Sequence, residues 1–218
     1  MAKKKNISKQ QIVSWFMDYV LEHDEEPASV YKFCKTYNLD ETSFYENFGS
    51  FAAIKSSIFS LFLENTLDLL QKDETYNHSN ARNKLLSFYY TFFEILTANR
   101  SYVALVFQDR KHTLHNLKSL HKLREGFKKY VDGLDIKTLD MNQEQVEKIQ
   151  RKAISESAWA QLLFTLKFWL DDTSPSFEKT DILIEKSVNS SFDVLEATPL
   201  QSLVDLGKFI FKEKMAMS

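Results

Sequence analysis

The chain has 218 residues, of which 44% are apolar, and a formal net charge of −2 at pH 7. With four Gly and three Pro it has few sharp turns, which excludes β-sandwiches and nucleotide-binding sheets and predicts an all-α protein. The single cysteine, Cys34, cannot form an intramolecular disulfide, as is typical of a reducing compartment. Because no run of about 18 uncharged apolar residues is present, we expect a soluble, cytoplasmic chain without a membrane partner.

Three short helices are predicted at the start of the chain. The first follows Ser8, a residue suited to an N-cap, and repeats apolar side chains every four positions from Ile12 to Val20. The second runs from about Ser29 to Thr36, and the third is the stretch DETSFYENF. A long fourth helix begins near Ser50 and extends to about Lys72, so we expect 50–72 to link a small N-terminal domain to the rest.

The turn YNLDE joins the second and third predicted helices. Asn38 can adopt the left-handed conformation that a tight turn requires, and Leu39 is expected to fill the core. Asp40 is placed to cap the third helix by accepting hydrogen bonds from backbone amides. Short helices joined by such a turn are typical of a helix-turn-helix module, whose last helix enters the major groove.

The residues of this module stand in one register without a gap: Ser29, Val30, Phe33, Cys34, Asn38, Leu39, Ser43, Phe44, Tyr45, Asn47, Phe48, Ser50 and Ile54. In this pattern, residues 8–60 resemble the N-terminal domain of the TetR/AcrR family of bacterial transcriptional regulators, most tellingly in Tyr45 and Phe48. The resemblance implies a DNA-binding domain in 1–50 and a helical effector-binding and dimerisation domain in 51–218. It also implies that the operator DNA is contacted by Ser29, Lys35, Thr42, Ser43, Tyr45 and Asn47.

The module departs from the family pattern in three ways. Asn38 replaces a turn Gly, Phe51 replaces a Lys of helix four, and the recognition helix is acidic. Residues 1–55 carry seven Lys against eight Asp and Glu, whereas phosphate contacts normally need Lys or Arg. Two hypotheses therefore remain: the module binds double-stranded DNA, or it kept the fold, lost DNA binding and serves as an interaction or lipid-binding module.

The rest of the chain is predicted to be helical, over 81–100, 101–110, 113–131, 143–171, 176–196 and 199–214. The helix at 81–100 has aromatic residues on nearly all sides, which indicates burial against several neighbours. With the helices around it, this segment suggests a pocket for a small apolar effector, lined by Phe88, Tyr89, Phe92, Phe93, Tyr102, Phe107, Trp159 and Phe164. Plain core is the alternative interpretation of the same rings.

The helices at 143–171 and 176–196 are predicted to pair two subunits, as the resemblance implies. The predicted homodimer face consists of Ala158, Leu162, Thr165, Trp169, Ile184, Ser187, Val188 and Ser191. The serines are small enough to let a partner helix approach closely. The alternative is that both helices pack within one chain, but a reader of two half-sites generally needs a dimer.

Signatures of catalysis are missing from the sequence. It has no Gly-rich phosphate loop, and Cys34 lies on an apolar helix face, as is typical of an inert thiol. His112 and His115 could share a face, but no carboxylate or Cys completes a metal site. We therefore expect a ligand-responsive regulator, acting as a repressor, with no catalytic residue, cofactor or metal.

Overall fold

The computed structural model describes residues 7–108, 120–136 and 144–197. These ranges contain helices and turns but no strand, so the prediction of an all-α protein is confirmed. The helices are α1 Lys9–His23, α2 Val30–Thr36, α3 Glu41–Asn47, α4 Phe51–Gln71, α5 Glu74–His78, α6 Ala81–Ala98, α7 Arg100–Gln108, α8 His121–Asp132, α9 Glu144–Asp171 and α10 Glu178–Ala197. A 3-10 turn, Pro175–Phe177, precedes α10.

The observed helices follow the predicted ones closely, with one addition. The short helix α5 was not predicted, because its five residues are too few for a periodic apolar pattern. The predicted helix at 199–214 lies outside the described residues, as do His112 and His115.

Each of the first four helices begins at a side-chain cap. Ser8, Ser29 and Ser50 each accept a hydrogen bond, 3.2 Å long, from the backbone N–H three residues later. Asp40 does the same for α3 at 3.1 Å. Because these caps satisfy amides of the first turn, which have no partner within the helix, the local sequence determines where each helix starts.

The described chain divides into two compact units. The first comprises the residues up to 73 together with 91–127, and the second comprises 74–90 together with the residues from 128 onward. Helix α4 packs on α1 within the first unit. The division by role at residue 50 stays a prediction.

Phenylalanine rings from four helices form the core of the helix-turn-helix. Phe16 of α1 lies 5.6 Å from Phe51 of α4, between ring centroids, and Phe44 of α3 lies 5.7 Å from the same ring. Phe33 of α2 meets Phe44 edge-on at 6.0 Å. This aromatic cluster holds α3 on the other helices through Phe44, which is fully buried.

Helices α4 and α8 approach closely at Gly126 in the first unit. A Cβ atom at this position would lie 2.5 Å from Cδ2 of Leu63. Leu63 is itself buried, so its side chain has little room to move. The glycine is therefore explained by packing, since its position inside a helix costs conformational freedom.

Candidate functional site

The turn between α2 and α3 has the geometry of a helix-turn-helix. Asn38 has a φ of 49°, in the left-handed region, as predicted. The backbone N–H of Leu39 donates to the carbonyl of Cys34 at 2.8 Å, and the Leu39 side chain is buried. This tight turn therefore ends α2 and changes the direction of the chain before α3 begins.

Helix α3 starts with an acidic cap. The carboxylate of Asp40 accepts hydrogen bonds from both the backbone N–H and the hydroxyl of Ser43, each at 3.1 Å. The predicted capping role of Asp40 is confirmed, and its negative charge lies where the helix dipole favours it.

Three of the predicted DNA-contacting residues also make local hydrogen bonds. Ser29 caps α2, Ser43 donates to Asp40, and the Asn47 amide donates to the carbonyl of Ser43 at 2.9 Å. A DNA contact by Ser43 would use its remaining acceptor capacity or break the bond to Asp40.

The other three predicted contacts lie on the surface. Lys35, Thr42 and Tyr45 are exposed, and Tyr45 keeps 53% of its surface accessible. Thr42 and Tyr45 are three residues apart and therefore share one face of α3. The same helix also exposes Glu41 and Glu46, so it presents hydroxyls and carboxylates together.

Of the seven lysines in residues 1–55, the structure describes Lys9, Lys32, Lys35 and Lys55. Lys9 lies 5.5 Å above the ring of Phe48, the residue that follows α3. Lys55 forms an ion pair with Glu26 at 2.5 Å, which partly neutralises it. Lys32 and Lys35 are exposed on α2. Within the described part of this module, the lysines not held in the Glu26 ion pair therefore lie on α2 and at the start of α1.

Cys34 is a core residue of the module. Burial, and to a smaller extent the charges of Glu41 and Asp40, together raise the pKa of the thiol to about 11. A thiol protonated at neutral pH is a poor nucleophile, which agrees with the structural role predicted for this residue.

The eight rings of the predicted effector pocket are divided between the two units. Seven are buried or half-buried: Phe92, Phe93, Tyr102 and Phe107 in the first unit, and Phe88, Tyr89 and Trp159 in the second. Phe164 is 58% exposed, so the prediction that it lines an enclosed pocket is wrong. The reason is helical periodicity, because Leu162, Leu166 and Trp169 take the inward face of α9.

Most of the predicted dimer face lies in the core of one chain. Six of its residues are buried: Ala158, Leu162, Thr165, Trp169, Ile184 and Val188. Their assignment to a dimer face is corrected, because α9 and α10 pack against each other and leave these side chains inaccessible to a partner. The remaining two residues of the predicted face, Ser187 and Ser191, are half-buried and lie outside this core.

These two serines line an apolar groove of about 520 Å³ in the second unit. Its walls come from α6, α8, α9 and α10, with Leu85, Val131 and Val194 among the apolar residues. The polar lining consists of Gln150, Ser157, Gln161, Ser187, Ser190 and Ser191, and no charged side chain is among the described residues of the lining.

The two glutamines of the groove differ in their hydrogen bonds. Gln161 donates to the hydroxyl of Ser187 at 3.0 Å and accepts from that of Ser191 at 3.2 Å. Gln150 is 9% exposed, and neither atom of its amide has a hydrogen-bond partner in the described part of the chain. The two glutamines are eleven residues apart, which is about three helical turns, so they lie on the same face of α9. This spacing is visible in the sequence, but it was not used to predict a shared polar face.

Similarity to known proteins was found in the C-terminal part of the sequence. Residues 84–210, more than half of the chain, match the model of the tetracyclin repressor-like C-terminal domain. The chain belongs to the TetR/AcrR family. It is similar to the crystal structure of a transcriptional regulator (TerR/AcrR family) from Aquifex aeolicus VF5, at a TM-score of 0.47 and 15% identity, covering 83% of this chain and 97% of that chain. No curated protein matches the chain in sequence.

Two departures from the TetR/AcrR pattern now have physical explanations. Asn38 tolerates the left-handed conformation that the turn Gly would supply. Phe51, in place of a Lys, packs against three other rings of the aromatic cluster. The module thereby loses a cation and gains apolar contact area in its core.

Two further findings concern metals and membranes. Within residues 7–108, 120–136 and 144–197, no three His, Cys, Asp or Glu side chains are grouped so that they could hold a metal ion. The described helices include none with the length and apolar character needed to cross a bilayer.

Proposed function

We propose that this TetR/AcrR-family chain is a dimeric, ligand-responsive repressor that binds double-stranded DNA in the cytoplasm and has no catalytic role. The observation that supports DNA binding most directly is the geometry of the helix-turn-helix. The Asn38 turn and the Asp40 cap hold α3 so that Thr42 and Tyr45 face outward together. A helix presented in this way suits the major groove.

The proposed contacts divide into two classes. Lys35 and Tyr45, with Ser29 and Asn47 beside them, contact the DNA backbone, which positions the protein without reading sequence. Thr42 and Ser43 approach base edges, where hydroxyls can both donate and accept. Residues 1–55 carry seven Lys against eight acidic residues, and this balance predicts modest affinity, because phosphate contacts supply most of the binding free energy.

An electrophoretic shift assay tests this proposal. The full chain is mixed with DNA from around its own gene at two salt concentrations, with random DNA as the control. We expect a shift of the native DNA that weakens at the higher salt concentration. The absence of any shift at low salt would contradict DNA binding.

The proposed dimer uses an exposed stripe on α9 instead of the buried residues. Ala160 and Phe164 are four residues apart, are both exposed and lie outside the lining of the groove. On α10, Ile182 is also exposed and lies outside that lining. Apolar side chains grouped on one surface indicate an interaction site, and a symmetric partner would cover both copies of the stripe.

A second candidate function is supported by the acidic surface of α3. Glu41 and Glu46 are both exposed beside the residues proposed to meet DNA, and phosphates would repel them. In this alternative the chain binds a protein or lipid partner and no DNA. A chain that binds ligand and dimerises but never shifts DNA would favour it.

A further inference from the structure

The groove of the second unit contains a polar group whose hydrogen bonds are not made. Gln150 is nine-tenths buried and lines the groove, and within the described residues neither its Nε2 nor its Oε1 has a partner. A buried amide without partners is costly, and buried polar groups in folded proteins are satisfied with few exceptions. A ligand in the groove would supply the missing donor and acceptor.

The second glutamine shows that this requirement is local. The amide of Gln161 is satisfied on both sides by Ser187 and Ser191. Of the two glutamine amides in the groove, the one that lacks hydrogen-bond partners in the described chain is therefore that of Gln150. The apolar walls would surround the rest of any bound molecule. A single anchoring group in an apolar site is a common arrangement for small ligands.

The lining also indicates the charge of the ligand. No charged side chain is found among the described residues of the groove. An ion would lose hydration there without gaining a counter-charge, so an uncharged molecule is favoured. A volume of about 520 Å³ lies within the usual range of small-molecule sites.

We propose that this groove binds an uncharged, largely apolar molecule with one carboxamide group, and that this group pairs with the amide of Gln150. The ligand carbonyl accepts from Nε2, and the ligand N–H donates to Oε1. That such a molecule acts as the effector rests on the proposed function; the binding itself does not.

Calorimetry of the full chain with three probes of equal chain length tests the proposal. Octanamide can make both hydrogen bonds, methyl octanoate can only accept, and octanoate is an anion. We expect octanamide to bind about three to ten times more tightly than the ester, which corresponds to one additional hydrogen bond. Octanoate should bind most weakly of the three.

The variant Gln150→Leu removes the proposed partner while keeping the shape of the groove. It should fold, because the lost amide has no partner in the described chain, and circular dichroism checks this. We expect the preference for octanamide over methyl octanoate to disappear. Gln10→Leu, at an exposed position of α1, is the matched control and should keep the preference.

Three outcomes would overturn the proposal. The first is equal binding of amide and ester by the native chain, and the second is an unchanged preference in Gln150→Leu. The third is an octanamide affinity that falls as protein concentration rises, because a second copy of the chain would then occupy the groove. The electrophoretic shift of DNA is measured without any of the three probes. A failure of ligand binding in the groove is therefore distinguished from a failure of DNA binding.

Discussion

Asp172 occupies the turn between α9 and α10, where its buried carboxylate organises the start of the last described helix. It accepts hydrogen bonds from the backbone N–H and hydroxyl of Ser174, at 2.9 and 2.6 Å, and from the same two groups of Thr180, at 3.0 and 2.7 Å. Burial alone would raise its pKa, but these four hydrogen bonds lower the pKa to about 2.

The low pKa of Asp172 predicts how stability depends on pH. Because the folded pKa is below the ordinary value of 3.8, the carboxylate stabilises the fold above about pH 4, and this contribution is lost as the pH falls toward 2. Asp172→Asn should lower the free energy of unfolding by about 2 kcal/mol at pH 7 and by much less at pH 2.5. Urea unfolding at both pH values measures this. Asp171→Asn is the control, since its exposed pair with Lys167 should matter little.

Tyr45 is the residue whose replacement best tests contact with the DNA backbone. Its ring lies edge-on to Phe44 at 5.3 Å, which fixes its direction, while its exposed hydroxyl is the proposed phosphate donor. Tyr45→Phe should weaken native and random DNA equally, by roughly three to ten times, since one hydrogen bond is lost. Tyr31→Phe, exposed on α2, is the control in the same shift assay. A loss confined to one DNA sequence would assign Tyr45 to base reading instead.

At the scale of the element, the two groove-lining glutamines of α9 have opposite expected effects on stability. The amide of Gln150 is buried without hydrogen bonds in the described chain, which lowers the free energy of unfolding. Gln161, in contrast, joins α9 to α10 through hydrogen bonds to two serines. Both face the same groove, so they differ mainly in whether their amides are satisfied.

We therefore predict that Gln150→Leu raises, and Gln161→Leu lowers, the free energy of unfolding without ligand. The first change removes an unsatisfied amide, and the second removes two hydrogen bonds between helices, so each effect should be about 1 kcal/mol. Denaturant melts of the two variants measure the difference. If both variants are destabilised alike, Gln150 is satisfied in solution, and the proposed ligand contact loses its basis.

At the scale of the whole molecule, assembly depends on apolar surface that one chain leaves uncovered. The large side chains Phe164, Ile182 and Val194 are exposed on α9 and α10. Of these, Phe164 is outside the groove lining, while Val194 belongs to it. Dimerisation and groove binding can therefore be separated by the choice of residue.

Phe164→Glu should convert the proposed dimer into a monomer. A carboxylate within the proposed apolar interface would be buried without a partner, which costs several kcal/mol. Sedimentation equilibrium at micromolar concentration should give twice the chain mass for the native protein and a single chain mass for the variant. Leu21→Glu, on the exposed surface of α1, is the control. A native monomer would exclude the proposed assembly.

The extent to which sequence predicted this molecule depended on how local each signal is. The caps at Ser8 and Asp40 and the turn at Asn38 involve neighbours within five residues, and all three were predicted correctly. The inward face of α9 was partly misassigned, because apolar residues such as Phe164 occur outside the buried face. The groove depends on side chains from four helices far apart in sequence, which no single periodic pattern indicates.

The burial of Cys34, the only cysteine of the chain, has a practical consequence for measuring motion. With a pKa of about 11, roughly one thiol in ten thousand is ionised at pH 7. The side chain is also only 2% exposed, which blocks access for a bulky thiol reagent. Covalent labelling of the native protein must therefore wait until α2 detaches from its neighbours. The rate of labelling, measured by mass spectrometry, therefore reports how often the module opens transiently. No engineered probe is needed. Slower labelling in the presence of DNA would show that binding holds the recognition helix closed.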